Sequence, residues 1–443
     1  MIRFASMHYN RAACVMRLVI TAIVALCLLV SCGDGQQSAV GTVLSKPNLV
    51  PARQPGHPAA YAYCMPHQGW APLKTYFSPF GSEAEEGHIV RYEWDLDGDG
   101  VFEVDATAEN GYTQRTYKKA GEYIAALRVT DNRGRSSSSS VIVHIRDPQK
   151  STVDYWTIFD DSKVQRIDLR VAQEDWDYLW EDIEDRREIE ADAVIFGKWV
   201  FNVGLSMKGN GSLFGSGDKK SFKIDTNEYA GGQEYKNLKM LLLHNNFMDP
   251  SLLREKMAYD MLRFAGAWAG HVSYVELWID IRDDDGPPIY WGVYSMVERV
   301  DKKYLANRFG QGNKYGNLYK GFGWFEEGAA DLVYYGEDVS NYPHPGGDVC
   351  YQKETNKGNP DYSDVINLCR VIDGTGYASP GDFATALEKV FNVDSYLRFI
   401  AAMVVCDNWD IYPFCANNYY IYNNPGKERF EWIAWDMNSS WSG

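Results

Sequence analysis

Residues 406–443 read CDNWDIYPFCANNYYIYNNPGKERFEWIAWDMNSSWSG, and this stretch decides how the rest of the chain is interpreted. Asp410 lies in a polar segment after an apolar helical run, and Asn418 follows eight positions later. Residues 419–422 have the pattern of a strand, an Asn-Pro-Gly turn follows, and Asp436 comes after a second apolar run. The predicted order is therefore helix, Asp, loop, Asn, strand, turn, strand, Asp.

This order of two carboxylates and an amide suits phosphoryl transfer. One Asp orients the attacking hydroxyl, and an Asn and a second Asp hold the metal ion on the phosphates. In the common kinase catalytic loop the Asn follows its Asp more closely, so the generic motif is not matched here. An Asp in a polar loop after a helix is more often a cap or a turn former. The segment alone leaves both interpretations open.

The composition excludes some classes of function. The chain has 443 residues and a formal charge of −16, which argues against nucleic acid as the main partner. Its length allows roughly two or three domains with cores of their own. Aromatic residues make up 14%, which is typical of well-packed, strand-rich domains and of surface proteins that contact sugars.

The N-terminus has the pattern of an export signal. Arginines precede an apolar run over 18–30, which is too short to cross a membrane as a stable helix. The run ends in Leu-Val-Ser-Cys, which resembles a bacterial lipobox. This resemblance implies a signal peptide over 1–31 and a lipid on Cys32, which would anchor an exported lipoprotein facing the periplasm or the cell surface. Residues 32–60 are rich in Gly, Ser, Gln and Pro and are predicted to form a flexible tether.

Export would place the remaining cysteines in an oxidising compartment, where disulfides are permitted. The candidate pairs join cysteines that are neighbours along the chain, Cys350 with Cys369 and Cys406 with Cys415, and they leave Cys64 unpaired. Buried thiols are an equally open alternative, because the connectivity cannot be read from a sequence. The spacings do not resemble zinc ligands.

Residues 61–147 alternate like the short strands of a β-sandwich. Tyr-Glu-Trp-Asp at 92–95, Ala-Gly-Glu-Tyr at 120–123 and Val-Thr-Asp-Asn-Arg-Gly at 129–134 resemble a polycystic-kidney-disease (PKD) repeat. The resemblance implies an Ig-like spacer or an adhesive module that contacts glycans or surface proteins.

Inside this segment, Asp95, Asp97 and Asp99 imitate the start of a calcium-binding loop. Ala106 stands where such a loop has its bidentate acid. An acidic hairpin turn is therefore the better interpretation.

Residues 148–443 form one larger unit, in which strand patterns come first and helical patterns return from 362 onward. This order predicts an α+β domain with two lobes, a β-rich lobe followed by a helical one. A glycine-rich loop at 208–212 lies between two predicted strands that carry lysines. Kinases cover nucleotide phosphates in this way, although such a segment alone is more often an ordinary hairpin.

At this point several segments resemble the spore coat protein H (CotH) kinase family. They are Lys-Gly-Asn-Gly-Ser at 208–212, Lys-Lys-Ser-Phe-Lys at 219–223, Asp-Pro-Ser-Leu-Leu-Arg-Glu at 249–255, Tyr-Trp-Gly-Val-Tyr at 290–294, Gly-Asn-Leu-Tyr-Lys at 316–320, Asn-Trp-Asp at 408–410, Asn-Tyr-Tyr at 418–420 and Trp-Asp at 435–436. The match covers residues 150–443 in order. It implies an atypical protein-kinase fold that transfers the γ-phosphate of ATP to Ser or Thr of extracytoplasmic proteins, with Mg²⁺ or Mn²⁺.

The resemblance also assigns roles to residues. Asp410 resembles the catalytic Asp, which places and deprotonates the acceptor hydroxyl. Asn418 and Asp436 resemble the pair that binds the metal ion. The loop from Gly209 to Gly211 would lie over the phosphates.

For the phosphate-binding lysine the resemblance favours Lys220, with Lys208 and Lys223 as alternatives. Glu255 would pair with that lysine from its helix, as a kinase glutamate does. Arg254 would contact phosphate or only cap the helix.

The sequence also departs from the family pattern. The gap before Asn418 is lengthened, and Asn438 replaces a second acid after Asp436. The chain stops at Gly443, where a helical lobe normally continues, so we expect a truncated domain. The alternative function is a non-catalytic surface adhesin, carbohydrate-associated protein or envelope-assembly protein that keeps the fold, which the PKD-like segment, the aromatic content and the tether favour.

Overall fold

The computed structural model describes residues 48–49, 56–147, 153–215, 217–281, 286–323, 329–343 and 349–442. The signal peptide predicted over 1–31, the lipidation predicted at Cys32 and most of the tether predicted over 32–60 lie outside these ranges. Within the described ranges, no helix combines the length and the apolar character that crossing a membrane requires.

The N-terminal part is a sandwich of two sheets. Its strands are β1 (Asn48–Leu49), β2 (Tyr63–Met65), β3 (Gln68–Trp70), β4 (Leu73–Ser78), β5 (Ile89–Asp95), β6 (Val104–Asp105), β7 (Thr113–Tyr117), β8 (Gly121–Asp131) and β9 (Ser136–Arg146). One sheet has the order β1-β9-β8-β5-β6 with β3 parallel to β9, and the other has the order β2-β4-β7. Trp94 and Phe77 join the two sheets in the core, with ring centroids 5.3 Å apart.

The acidic turn after β5 is closed by its own first carboxylate. Asp95 accepts hydrogen bonds from the amides of Gly98 at 2.7 Å and Gly100 at 2.9 Å. Arg115 pairs with Asp97 at 2.8 Å. The carboxylates thus close the turn and form ion pairs, while ligand atoms of Asp95, Asp97, Asp99 and Glu103 also lie within 4.8 Å of one another, so the acidic turn stays a prediction beside the calcium alternative.

The middle of the chain closes a barrel. Its elements are α1 (Tyr155–Ile158), β10 (Gln165–Val171), α2 (Gln173–Glu181), β11 (Glu188–Ile195), β12 (Lys198–Lys208), α3 (Gly211–Gly215), β13 (Ser221–Asp225), β14 (Met240–His244), α4 (Arg254–Ala265), β15 (Val272–Ile281) and β16 (Ile289–Val297). The closed order is β10-β11-β12-β13-β14-β16-β15, with β10 and β15 parallel. Alternate residues of β10, such as Ile167 and Leu169, are fully buried inside it, as a period of two requires.

Helices and a second sheet follow the barrel. They are α5 (Lys302–Phe309), β17 (Leu318–Gly321), β18 (Tyr351–Lys353), α6 (Ser363–Asp373), α7 (Pro380–Val390), α8 (Val393–Val405), β19 (Tyr419–Asn424) and β20 (Arg429–Ala434). The sheet has the antiparallel order β18-β17-β19-β20. The helix predicted before Asp410 and the hairpin predicted after Asn418 are both confirmed.

The hairpin is held by an aromatic core. Trp432 of β20 is fully buried and stacks on Tyr419 of β19, with ring centroids 4.3 Å apart. Phe399 of α8 packs against the same indole at 5.5 Å. The fold is therefore mixed α+β, as predicted, and this core places the ends of α8 and β20 beside each other.

Candidate functional site

Asp410 is fixed by the segment that follows β20. Its amide donates to the side-chain oxygen of Asn408 at 3.0 Å, and the Asn408 amide group donates to Ser440 Oγ at 2.9 Å. Asn408 and Ser440 are both buried. The loop after α8 and the turn after Asp436 are thus bonded to each other, which brings the two acids into one site.

The predicted metal-binding pair has an unusual backbone. Asn418 has a φ of 59° and Asp436 a φ of 56°, in the left-handed region that Asn and Asp tolerate better than most residues. The Asn418 side-chain amide donates to the backbone carbonyl of Asp410 at 2.8 Å. Such conformations persist where the surroundings fix them, and they are frequent at functional sites.

The carboxyl group of Asp410 is poised to exchange a proton near neutral pH. Burial and the negative charge of Asp436 raise the pKa of Asp410 from 3.8 to about 6, against the lowering effect of hydrogen bonds from Asn418, Ser439 and Cys415. Among the described residues, its buried Oδ1 has no hydrogen-bond partner. A raised pKa and an unpartnered oxygen are what a general base for a hydroxyl requires.

Asp436 lies beside a histidine and a glutamate. Three possible ligand atoms lie within 4.8 Å of one another, one each from Asp436, His244 and Glu255. His244 Nδ1 is 2.8 Å from Glu255 Oε1, and its buried Nε2 has no partner among the described residues. The Asp436 amide donates to the Tyr259 hydroxyl at 3.1 Å. β14, α4 and the end of β20 therefore meet at this carboxylate.

These donors fit a divalent cation. Carboxylate and amide oxygens suit Mg²⁺ and Mn²⁺, and an unpartnered imidazole nitrogen is a ligand that Mn²⁺ accepts more readily. Asp436 and Glu255 would supply the oxygens and His244 the nitrogen, whereas metal binding by Asn418 stays a prediction. Sequence reasoning assigned no role to His244, because a single His at the end of an apolar strand has no distinguishing spacing.

Two lysines approach Asp436 from different sides. Burial lowers the pKa of Lys208, at the end of β12, to about 8, while the nearby charges of Asp436 and Glu255 oppose this lowering. Burial also lowers the pKa of Lys320 on β17, and the charges of Asp436 and Glu354 oppose it. The barrel and the second sheet therefore each direct a cation at the same carboxylate.

The structure differs from the prediction for Lys220. Its ammonium group donates to the carbonyl of Leu213 in α3, and Glu255 bonds to His244 instead. The expected pair of Lys220 and Glu255 is thus not formed, because Lys220 precedes β13 and turns toward the loop. Lys223 pairs with Glu188 at 3.1 Å. Lys208 is the lysine on which the charges of Asp436 and Glu255 are seen to act.

The glycine loop is folded rather than open. Gly209 has a φ of 107°, and its carbonyl accepts from Arg186 at 2.9 Å. Gly211 begins the short helix α3, whose last residue, Gly215, lies against the ring of Phe247. The loop directly follows Lys208, so its position beside the site agrees with a phosphate cover, which stays a prediction.

Arg254 takes part in starting its helix. Its amide donates to the carboxylate of Asp249 at 2.8 Å, and its guanidinium donates to the carbonyl of Met248 at 3.2 Å. The Asp249 carboxylate thus caps the first turn of the helix, and a capping role of the Arg254 side chain itself stays a prediction. A phosphate contact of Arg254 stays a prediction.

The two candidate disulfides are not formed, and the buried-thiol alternative holds. Cys369 faces the Tyr351 hydroxyl at 3.6 Å, and burial raises the pKa of Cys369 and of Cys350 to about 12. Cys406 ends α8, where burial raises its pKa to about 11, and the Cys415 thiol donates to the Trp409 carbonyl at 3.4 Å. The thiols of Cys369 and Cys415 are thus each directed at a polar group.

Two family models match the chain. The model described as CotH kinase protein matches residues 205–443, and the PKD domain model matches residues 67–146. The chain is 23% identical over 228 residues to inner spore coat protein H of Bacillus subtilis, covering 50% of this chain and 55% of that protein. It is 25% identical over 217 residues to Invasin CotH3 of Rhizopus delemar, covering 47% of this chain and 32% of that protein.

Among solved structures, the PKD1 domain of Vibrio anguillarum Epp is 24% identical, covering 21% of this chain and 96% of that domain with a TM-score of 0.17. The chain spans about half or less of the length of the two curated relatives.

Proposed function

Because the chain belongs to the CotH kinase protein family, we propose that it transfers the γ-phosphate of ATP to Ser or Thr hydroxyls of proteins outside the cytoplasm. The observation that carries this proposal is the Asp410 carboxyl group, with its raised pKa and its unpartnered oxygen, beside Asp436. A surface protein without this chemistry has no need to place two half-buried acids side by side.

In the proposed reaction Asp410 orients the acceptor hydroxyl and takes its proton. The hydroxyl oxygen forms the new bond to the γ-phosphorus, the bond from that phosphorus to the β-γ bridging oxygen breaks, and ADP leaves. Asp436 and Asn418 would hold Mg²⁺ or Mn²⁺, which neutralises charge on the phosphates when bound. Lys208 and Lys320 would add positive charge near Asp436.

An extracellular or surface location is supported by the PKD match and by the spore coat relative. We propose that the chain is exported and held at a membrane by a lipid on Cys32, and that acceptor proteins meet it there. The lipid is tested by mass spectrometry of the purified membrane form, and Cys32→Ala is expected to release the protein into the medium or the periplasm.

The transfer is tested with γ-labelled ATP, Mn²⁺ or Mg²⁺, and a generic Ser/Thr-rich acceptor protein. Asp410→Asn is expected to lower kcat by about 10²–10⁴-fold, since a positioned base supplies about that much. Lys208→Met is expected to raise the KM for ATP, whereas Lys239→Met, at an exposed lysine, leaves it unchanged. Label transfer that survives both Asp410→Asn and Asp436→Ala would refute the assigned roles.

Lys220→Met distinguishes the two lysine assignments. A loss of ATP affinity as large as that of Lys208→Met would restore the sequence-based choice. We expect a smaller effect, because the Lys220 ammonium already donates to Leu213.

A non-catalytic surface role remains a second candidate, since one relative is named an invasin. In that case neither ATP nor Mn²⁺ stabilises the protein. Under the first proposal, saturating ATP with Mn²⁺ at about 100 times Kd raises stability by about 2.7 kcal/mol, which thermal unfolding detects.

A further inference from the structure

The N-terminal sandwich contacts the second part of the chain at several places, which include Trp70 against Tyr155, Tyr76 against Phe264 and one short connecting segment. This segment, residues 266–270, joins α4 to β15, and we call it the junction segment. Gln68 Nε2 donates to the carbonyl of Gly266 at 2.9 Å. The guanidinium of Arg146 lies 4.9 Å from the ring centroid of Trp268. The last strand of the sandwich and its short parallel neighbour therefore both contact the junction segment.

The contact is close-packed. Gly266 ends α4 with a φ of 81°, and a Cβ there would collide with the ring of His67 from the sandwich. Arg146 also donates to Gln68 Oε1 at 2.9 Å and lies over Trp70, so it is held on the sandwich side. A planar guanidinium between two indoles orders both partners more than a flexible ammonium does.

The opposite side of the junction segment is bonded to the strand that leads to the site. Trp268 Nε1 donates to Glu431 at 3.0 Å, and the Trp268 carbonyl accepts from the amide of Ala434 at 2.9 Å. Trp268 also forms a parallel bridge with Ile433. Asp436 follows two residues after β20 ends. Trp268 therefore contacts Arg146 on one side and the strand that leads to Asp436 on the other.

The helix before the junction segment makes a second connection. The far end of α4 carries Glu255, and Tyr259 on α4 accepts the hydrogen bond from the Asp436 amide. Movement of the junction segment would therefore disturb Asp436 through both β20 and α4.

We propose that the sandwich is a positioning element of the site, in which Arg146 and Gln68 fix the junction segment and, through Trp268, the backbone that presents Asp436. The catalytic consequence rests on the proposed function, whereas the mechanical link does not. This role differs from that of a spacer, because a spacer needs no contact with the segment that is bonded to β20.

The test uses the full chain with Arg146→Ala and, as a milder change that removes single hydrogen bonds, Gln68→Ala. The matched control is Arg128→Ala on the same sandwich. Arg128 lies 4.1 Å from the Phe102 ring centroid and pairs with Glu93 at 2.9 Å, so the control removes a similar cation on the sandwich without touching the junction segment.

Hydrogen–deuterium exchange is the first readout. Both junction variants are expected to speed exchange roughly tenfold in peptides that cover 430–437 and 254–260, because the amides of Ala434 and Asp436 lose their fixed acceptors. Exchange in the barrel strand β12 is expected to stay at the wild-type rate, which separates a local effect from general destabilisation. Arg128→Ala is expected to leave both site peptides unchanged.

Affinity for Mn²⁺ with ATP is the second readout, with an expected loss of roughly threefold to thirtyfold in the junction variants only. Unchanged exchange at 430–437 in both junction variants, or an equal rise in Arg128→Ala, would overturn the proposal. If the wild type binds no nucleotide, the proposed function fails, and the exchange rates still decide whether the link exists. If the junction variants show wild-type exchange and wild-type nucleotide binding, the proposed link is refuted and the proposed function is not.

Discussion

Removing the charge of Asp410 should stabilise the native protein while it inactivates the site. The raised pKa means that the folded protein holds a proton on Asp410 up to about pH 6, whereas the unfolded chain releases it near the ordinary value of 3.8. Between these values the native state binds more protons, so stability falls as pH rises through this window. Above this pH window the charge of Asp410 lowers the free energy of unfolding by its full amount. Below the window the carboxyl group is neutral in both states, and the free energy of unfolding is not lowered.

Asp410→Asn removes that cost at neutral pH. A shift of about two pKa units corresponds to about 3 kcal/mol as an upper limit, at about 1.4 kcal/mol for each unit. Partial exposure of Asp410 to solvent reduces this, so we expect a gain of about 1–3 kcal/mol. For a chain part of this size the gain raises Tm by about 2–6 °C. Active-site acids often cost stability in this way.

The gain in stability is measured by thermal unfolding of the wild type and the variant in EDTA. Both proteins are compared at pH 8 and at pH 3.5. The gain should be present at pH 8 and nearly absent at pH 3.5. Asp407→Asn is the matched control, since Asp407 is exposed in the same loop and already has a φ of 46°, which Asn tolerates. A destabilised Asp410→Asn at pH 8, or an equal gain at both pH values, would show that the carboxyl group is not strained as described.

Two further predictions concern the core. Glu298→Gln should lower the free energy of unfolding in urea by about 3–5 kcal/mol, because the buried Arg308 would keep an uncompensated charge. In the wild type Arg308 lies 2.6 Å from the Glu298 carboxylate. A decrease below about 1 kcal/mol would contradict a buried ion pair. Cys350 and Cys369 should react with a thiol reagent only after denaturation without reductant, because burial raises their pKa values to about 12; denatured protein that shows no reactive thiol would restore the disulfide between them.

The order of elements was predictable because its signals are local. The strand pattern at 419–422 and the Asn-Pro-Gly turn specify the hairpin within a few residues. An apolar run specifies α8 in the same way. Asp410 and Asp436 follow such elements directly, so their meeting in one site follows from the hairpin that joins them.

The choice of lysine was not predictable, because it depends on register between distant strands. Lys208 pairs with Ser221 at the end of the β12–β13 ladder, which leaves Lys220 beyond the last pair and facing Leu213. A shift of one residue would exchange the faces of these side chains. His244 meets Glu255 only because α4 packs beside the end of β14, a contact that no local pattern encodes.

The charges around Asp436 indicate how ligands enter under the proposed function. Lys208 and Lys320 bring two positive groups to a partly buried site, and burial already lowers both pKa values although Asp436 lies near each of them. A divalent cation placed on Asp436 alone would add repulsion at short range in a medium of low polarity. A polyphosphate brought in with the cation supplies the missing negative charge. Under the proposed function we therefore expect the metal ion and the nucleotide to bind together, and either one alone to bind weakly.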